Sequence, residues 1–252
     1  MKRFTLLCCI LCCFIISHSS LCIAQEAKKA TTKKATVPTP AKQETPWQDT
    51  FIVDKKNLGP TGTNPYFPLA PGYQQVFQND KTILTRTILK KTHFADGVTV
   101  RVIEDKEEEN GQLVEISYDY YAIDTITWNV YYFGENVDNY INGRIENNGG
   151  SWLAGIKQAQ FGLMIPGKIK VGDKFYQELA PEIALDRAEI VAVGETVKTP
   201  AGTFTKCIKV EETSALEKNA KDYKWYAPGV GIVKDNDMVL TKINRPSILK
   251  DK

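Results

Sequence analysis

The chain has 252 residues, 42% of them hydrophobic and 25% charged, with a formal net charge of +2. That balance excludes a wholly disordered or collagen-like chain. It describes a globular protein without a strong overall field.

The amino terminus is read first. Lys2 and Arg3 precede an uninterrupted apolar run, Leu6 to Ile16, followed by Ser17–Ser20 and Ala24. A bilayer-spanning helix needs about 20 apolar residues, and this run is shorter. A positive start, a short apolar stretch and a small residue before the cut describe an export signal. The sequence therefore predicts a signal peptide over 1–24, cut after Ala24. Cys22 follows Leu21 rather than a small residue, so lipid attachment is not expected. The expected location is beyond the inner membrane, periplasmic or extracellular, with no integral membrane segment once the signal is removed.

Removing the signal leaves one cysteine, Cys207. One thiol makes no intramolecular disulfide, so stability must come from core burial. Cys207 could serve as a nucleophile or an intermolecular bridge. The favoured reading is a small buried residue on a strand.

Residues 25–46 hold five lysines, three prolines, no aromatic residue and one β-branched aliphatic, Val37. Such a segment cannot bury enough apolar surface to offset its ordering entropy. It reads as a disordered Lys/Thr/Pro linker ahead of one β domain over 47–246, with a frayed tail over 247–252. From residue 47 onward, 25 basic residues face 28 acidic ones. No field draws a phosphate backbone, and the lysine-rich linker lacks aromatics to stack bases, so no nucleic-acid partner is expected.

The domain reads as β almost throughout. Val98, Val100 and Val102 alternate with polar residues, as do Val114, Ile116, Tyr118 and Tyr120. A period of two gives one buried and one wetter face. Between the two runs, Asn110-Gly111 supplies the positive φ angles of a tight hairpin turn. A turn near 124–127 leads to a strand over 128–133, and another strand is expected over 140–145. Further strands are expected over 171–179, 188–193, 204–210 (after a turn at Pro200-Ala201-Gly202), 222–226 and 232–243, the last with a turn near Asp235-Asn236-Asp237. Helical periodicity is weak; 156–164 and 182–187 could each hold a turn or two. The expected fold is mostly β: a single domain with a strongly curved antiparallel sheet forming an open barrel or sandwich, with one or two short helices.

Four blocks carry a resemblance: NPYFPLAPG at 64–72, YDYYAIDTITWNVYYFGE at 118–135, TPAGTFTKCIKVEE at 199–212 and YKWYAPGVGIVK at 223–234. GSWLAG at 150–155 and VGDKFYQE at 171–178 also fit. The chain resembles an uncharacterised family of exported bacterial β-rich proteins. The resemblance implies export and a β fold but no reaction. The family has Asp-x-x-Gly-Asn-Val ahead of Tyr-Phe-Gly-Glu. This chain has Asp124-Thr125-Ile126-Thr127-Trp128-Asn129-Val130, without the glycine.

Several chemistries are poorly supplied. His93 is the one histidine after the signal, which disfavours a His-rich zinc site and leaves a Ser-His-Asp triad without supporting motifs. No phosphate-binding glycine loop is present. No cofactor and no metal are expected. Calcium could use Asp235-Asn236-Asp237 or Asn136-Val137-Asp138-Asn139, yet these residues are ordinary turn formers. Acids are plentiful. A glycosidase needs two carboxyl groups about 5 Å or about 6.5–9.5 Å apart. Asp119 shares a strand face with Glu115, and Glu178 with Lys174, while Asp124, Glu135 and Asp186 lie near turns or strand ends.

Aromatic residues stand out. Tyr118, Tyr120, Tyr121, Trp128, Tyr131, Tyr132, Phe133 and Tyr140 are closely spaced, with Trp152 and Trp225-Tyr226 later. Neighbours on a strand point to opposite faces, so Tyr120-Tyr121 and Tyr131-Tyr132 are all core only if both faces are covered. Otherwise one of each pair lines a surface or cavity. The candidate ligand-binding residues are Tyr121, Trp128, Tyr131 and Trp152. The leading expectation is an exported non-enzymatic β domain that binds a glycan, a lipid-like molecule or a protein through these aromatics. A carboxylate-dependent hydrolase of polysaccharide, or a structural module of the cell envelope, are the alternatives.

Overall fold

The computed structural model describes residues 46–246. The expected signal peptide, the expected linker up to residue 45 and the expected tail over 247–252 lie outside the described residues. No helix of the described residues is long and apolar enough to cross a membrane.

The described chain opens with one helical turn, Lys55–Asn57, capped by the Asp54 carboxylate, and a short strand β1 (Leu58–Gly59). A first meander runs β2 (Gln74–Gln78), β3 (Thr82–Ala95), β4 (Val98–Glu109), β5 (Gln112–Asp124) and β6 (Val130–Ile141). Three short strands come next: β7 (Arg144–Asn147) and β8 (Trp152–Leu153), which pair with β6, then β9 (Gln160–Ile165), which extends the sheet beside it. The next segment holds β10 (Lys174–Tyr176) and β11 (Glu178–Leu179). A second meander follows, β12 (Asp186–Thr199), β13 (Gly202–Ser214), β14 (Asp222–Ala227), β15 (Gly231–Asp235) and β16 (Met238–Asn244). β16 pairs with β2 and fuses the two meanders.

The path starts at β10, runs through the second meander and then the first, and ends at β11. β10 and β11 are halves of one segment, separated by Gln177. The sheet thus meets itself through the chain, as a nearly closed antiparallel barrel.

Asn110-Gly111 turns the β4–β5 hairpin with φ of 51° and 78°. Asp96-Gly97 and Asn142-Gly143 do the same for β3–β4 and β6–β7. The strand expected over 140–145 is therefore two strand ends around a turn. The helical turns expected within 156–164 and 182–187 are also corrected. Residues 154–159 form hydrogen-bonded turns and Gln160–Ile165 is strand β9, while 182–187 is a turn that enters β12.

Both faces of the aromatic strands are covered. Every residue from Asp119 to Asp124 is buried. Tyr121 packs on Phe67 and stacks on Tyr132, with ring centroids 4.9 and 4.7 Å away. On the opposite face Tyr120 stacks on His93 at 4.5 Å. Tyr131 and Tyr132 are both buried as well. Asp235–Asp237 sits at the β15–β16 turn, and Asn136–Asn139 lies inside β6, where alternate residues face opposite ways.

The pairing of β8 with β6 depends on a missing side chain. Gly134 has φ of +128°, and a Cβ there would lie 2.3 Å from the Trp152 carbonyl oxygen. Gly134→Ala should cost at least about 2 kcal/mol in urea denaturation, through backbone strain plus the clash. Gly143→Ala has milder strain, since φ +73° lies close to the left-handed α region, and it has open space around it. It should cost only about 1 kcal/mol.

Candidate functional site

The barrel is weakest where it closes. β11 meets β9 through two residue pairs, Glu178 with Phe161 and Leu179 with Gln160. At Gln177 the segment changes partner: its N–H donates to the Asp186 carbonyl at 2.8 Å, and β10 then pairs with β12. The other edge of β10 is met by the segment before β1. Gln48 N–H donates to the Lys174 carbonyl, and Tyr176 N–H donates to the Gln48 carbonyl, both at 2.9 Å. Trp47 anchors this segment beneath the Arg187 guanidinium, 4.7 Å from the ring centroid.

Between β9, β10 and that segment lies a cleft of about 470 Å³. Phe51, Tyr131, Leu163 and Phe175 give it apolar walls, and Asp124, Asn129 and Asp173 give it polar ones. Its size falls in the range of small-molecule sites, roughly 300–1,000 Å³. The Tyr131 ring is fixed by edge contacts with Phe51 and Phe161. Its hydroxyl accepts from Asn129 Nδ2 at 3.0 Å, which leaves the phenolic proton to donate. Burial pushes the Tyr131 pKa up, so the group stays a neutral donor. Asn129 Oδ1 in turn accepts from Gly167 N–H at 2.8 Å.

The turn beside the cleft runs from Asp124 to Asn129. Asp124 Oδ1 accepts from the N–H groups of Ile126 and Thr127 at 2.8 and 3.1 Å. Trp128, just before Asn129-Val130, takes φ of +63°, a conformation glycine adopts without strain. Its carbonyl accepts from Asn64 Nδ2 at 2.8 Å. Its side chain is 51% exposed, beside the 72% exposed Ile126. Ile52, on the cleft lining, is 98% exposed.

The four candidate aromatics fall in three places. Tyr131 lines the cleft and Trp128 stands on the adjoining turn. Trp152 is buried edge-on against Tyr132 at 5.4 Å and lines a separate recess of about 270 Å³ with Ile156 and Ile183. Tyr121 lies inside, stacked on Tyr132. Sequence reasoning missed Phe51, Phe175 and Asn129. Asn129 follows Trp128 in the aromatic-rich block over 118–135, but Phe51 and Phe175 carry no local sign that they meet.

The inner face also gathers charge. Arg86 Nε donates to Asp105 Oδ1 at 2.9 Å, and its terminal nitrogen donates to Oδ2. Burial opposes the guanidinium charge, but Asp105 raises the Arg86 pKa well above its ordinary value. Burial likewise pushes Asp105 up, and Arg86 wins, holding it below the usual carboxylate range. Lys224 bridges Glu212 and Asp235 at 3.1 and 3.6 Å. Asp119 and Glu135 face each other across β5 and β6, and both are buried. Burial, then the Asp105 charge, pushes Asp119 up to about 7. Burial and then Glu178 raise Glu135 well above its ordinary value. Burial and then Asp186 do the same to Glu178. Three of the acids singled out from sequence, Asp119, Glu135 and Glu178, thus hold their protons more tightly than ordinary carboxyl groups. Asp124 is at the seam cleft, and Lys174 pairs with Glu189 at 3.2 Å. Cys207 is fully buried, with its thiol 3.4 Å from the Phe204 carbonyl and its pKa raised by burial. Among the described residues no group of three His, Cys, Asp or Glu is placed to hold a metal ion.

The raised Asp119 fixes the sign of a pH effect. The folded state favours its protonated form, so its contribution is most favourable in acid, falls as pH rises from the ordinary 3.8 and levels off above about 7. A tenfold change in proton affinity is worth about 1.4 kcal/mol. Asp119→Asn should match the wild type near pH 4 and be more stable at pH 7 by roughly a few kcal/mol. Thermal unfolding across pH 4–8 checks this.

Residues 183–238 match the model of the DUF3108-like family. The matched segment runs from the turn before β12 to the first residue of β16. No curated protein and no solved structure matches the chain. Over that segment, within its nearly closed β barrel, the chain is similar to an uncharacterised family.

Proposed function

We propose that this is an exported, non-enzymatic binding domain whose seam cleft takes a glycan. The cleft carries the reading: an aromatic and aliphatic wall with a hydroxyl donor, Tyr131, and carboxylate and carboxamide groups on the same surface. Sugars present apolar C–H faces ringed by hydroxyls that both donate and accept. They match such a wall better than an acyl chain does, because Asp173 would lose water against an apolar ligand with nothing in return. Half-exposed Trp128 offers a further stacking surface on the neighbouring turn.

Titration of the protein with soluble cell-wall and exopolysaccharide fragments, followed by calorimetry, tests the proposal. A saturable signal from the wild type is expected. Tyr131→Phe should keep the fold and weaken binding about 5–10-fold, the value of one hydrogen bond of roughly 1 kcal/mol or slightly more. Trp128→Ala should weaken it too. Absence of binding to every fragment overturns the proposal.

A second reading, a polysaccharide hydrolase, is favoured by the opposed acids Asp119 and Glu135, one of them held near neutrality. Neither acid lines the seam cleft or the Trp152 recess. Release of reducing ends from the same fragments, abolished by Asp119→Asn or Glu135→Gln, would establish it in place of the first reading.

A further inference from the structure

We infer that Lys224 and Asp235 join as an intramolecular amide, formed when the Lys224 amine condenses with the Asp235 carboxyl and Glu212 acts as the base. Three strands bring the groups together. Lys224 on β14 stands directly opposite Asp235 on β15. It also stands opposite Val210 on β13, two residues before Glu212 on the same face. Lys224 Nζ lies 3.1 Å from Glu212 Oε2 and 3.6 Å from Asp235 Oδ2, so both carboxylates reach one nitrogen. The Lys224 and Glu212 side chains are 5% exposed and that of Asp235 is 13% exposed. Gln177 Nε2 donates to Glu212 Oε1 at 3.2 Å, which fixes that carboxylate with its other oxygen on Nζ. All three residues lie within the DUF3108-like segment, whereas Phe51, Tyr131 and Phe175 of the seam cleft do not.

Burial sets this triad apart from ion pairs nearer water, such as Lys221 with Glu211, where the lysine side chain is 52% exposed. Water favours the separate ammonium and carboxylate and so holds condensation back. Inside the wall the ions have lost that hydration. An amide leaves one charge, that of Glu212, where three stood. Burial opposes the Lys224 charge, but Asp235 and then Glu212 outweigh it, so the resting nitrogen is an ammonium. It becomes a nucleophile by passing one proton to Glu212. The free amine then attacks Asp235 Cγ. The N–C bond forms and one C–O bond breaks. The departing oxygen leaves as water, with the proton held by Glu212 and a second proton from the nitrogen. Glu212 ends as the carboxylate it began as, and no other reactant is consumed. Tyr226, two residues beyond Lys224, is fully buried, and its hydroxyl has no hydrogen-bond partner among the described residues. Glu212, Lys224 and Asp235 all act on its proton affinity, which places it in the same enclosure. It is a donor for the oxygen that gains charge during the attack.

Peptide mapping by mass spectrometry tests this on the full chain, digested after denaturation in urea, which separates an ion pair but not an amide. Around this site trypsin cuts an unlinked chain after Lys221, Lys224, Lys234 and Lys242. In the linked chain Lys224 has no free ammonium, so 222–234 stays whole. It remains joined to 235–242, one water lighter than the two peptides together. That species is expected in the wild type. Lys224→Arg keeps the charges of the triad and Asp235→Ala removes the acyl partner, and both should give unlinked peptides only. Glu212→Gln can still accept from Gln177, and it should lose most of the linked species. Ordinary cleavage after Lys224 in the folded wild type overturns the inference, whatever the variants do. So does a linked species that persists in Asp235→Ala, that fragmentation places on Glu212, or that is undiminished in Glu212→Gln.

Discussion

The segment from Lys174 to Leu179 must serve two neighbours at once. Its first half pairs with β12 and its second half with β9, and the exchange happens at Gln177. Closing a twisted sheet onto itself needs such a change of partner when the last strands are too short to pair along their length. Gln177 is buried and tied to Asp186 through its backbone and to Glu212 through its side chain. Where β10 leaves β9, backbone groups lose their ladder partners, and Gln48 supplies two of the replacements. The cleft follows from this geometry, since closure leaves a gap that one residue of the leading segment cannot fill.

Closure also sets the electrostatics. A closed sheet has an inner face with little access to water, so every charged side chain there needs a partner or must give up its charge. Arg86 and Asp105 take the first course, directly opposite each other on β3 and β4. Lys224 does the same with Glu212 and Asp235. Asp119, Glu135 and Glu178 take the second, with proton affinities raised first by burial and then by neighbouring carboxylates, Asp105 for Asp119, Glu178 for Glu135 and Asp186 for Glu178. The outer wall follows a different rule. There the charges stay hydrated on one side, and aromatic rings such as Trp225 order them without neutralising them.

The turn at 124–129 shows how a left-handed backbone position is held by a residue other than glycine. The backbone keeps a left-handed residue before Asn129, and Trp128 occupies it. Asp124 and Asn64 hold the turn with hydrogen bonds that do not depend on the residue's side chain. The strain is carried by those contacts, and a large aromatic group is left standing in solvent beside the cleft.

By itself the sequence determined the β class, the Asn110-Gly111 hairpin and the single histidine and single cysteine within 46–246, because alternation, turn chemistry and composition are local. It pointed less clearly to β3, where Arg86 sits in the inward row between Leu84 and Ile88 and breaks the apolar pattern. Asn142-Gly143 was a legible turn signal inside a stretch that otherwise reads as continuous strand. Only the tertiary structure decided that both faces of Tyr120-Tyr121 and Tyr131-Tyr132 are covered, that Asp119 meets Glu135, and that Phe51 and Phe175 close on Tyr131. A period of two tells which residues share a face. What covers each face is set by chain segments far away in sequence, and closure of the sheet through Gln177 is what brings them there.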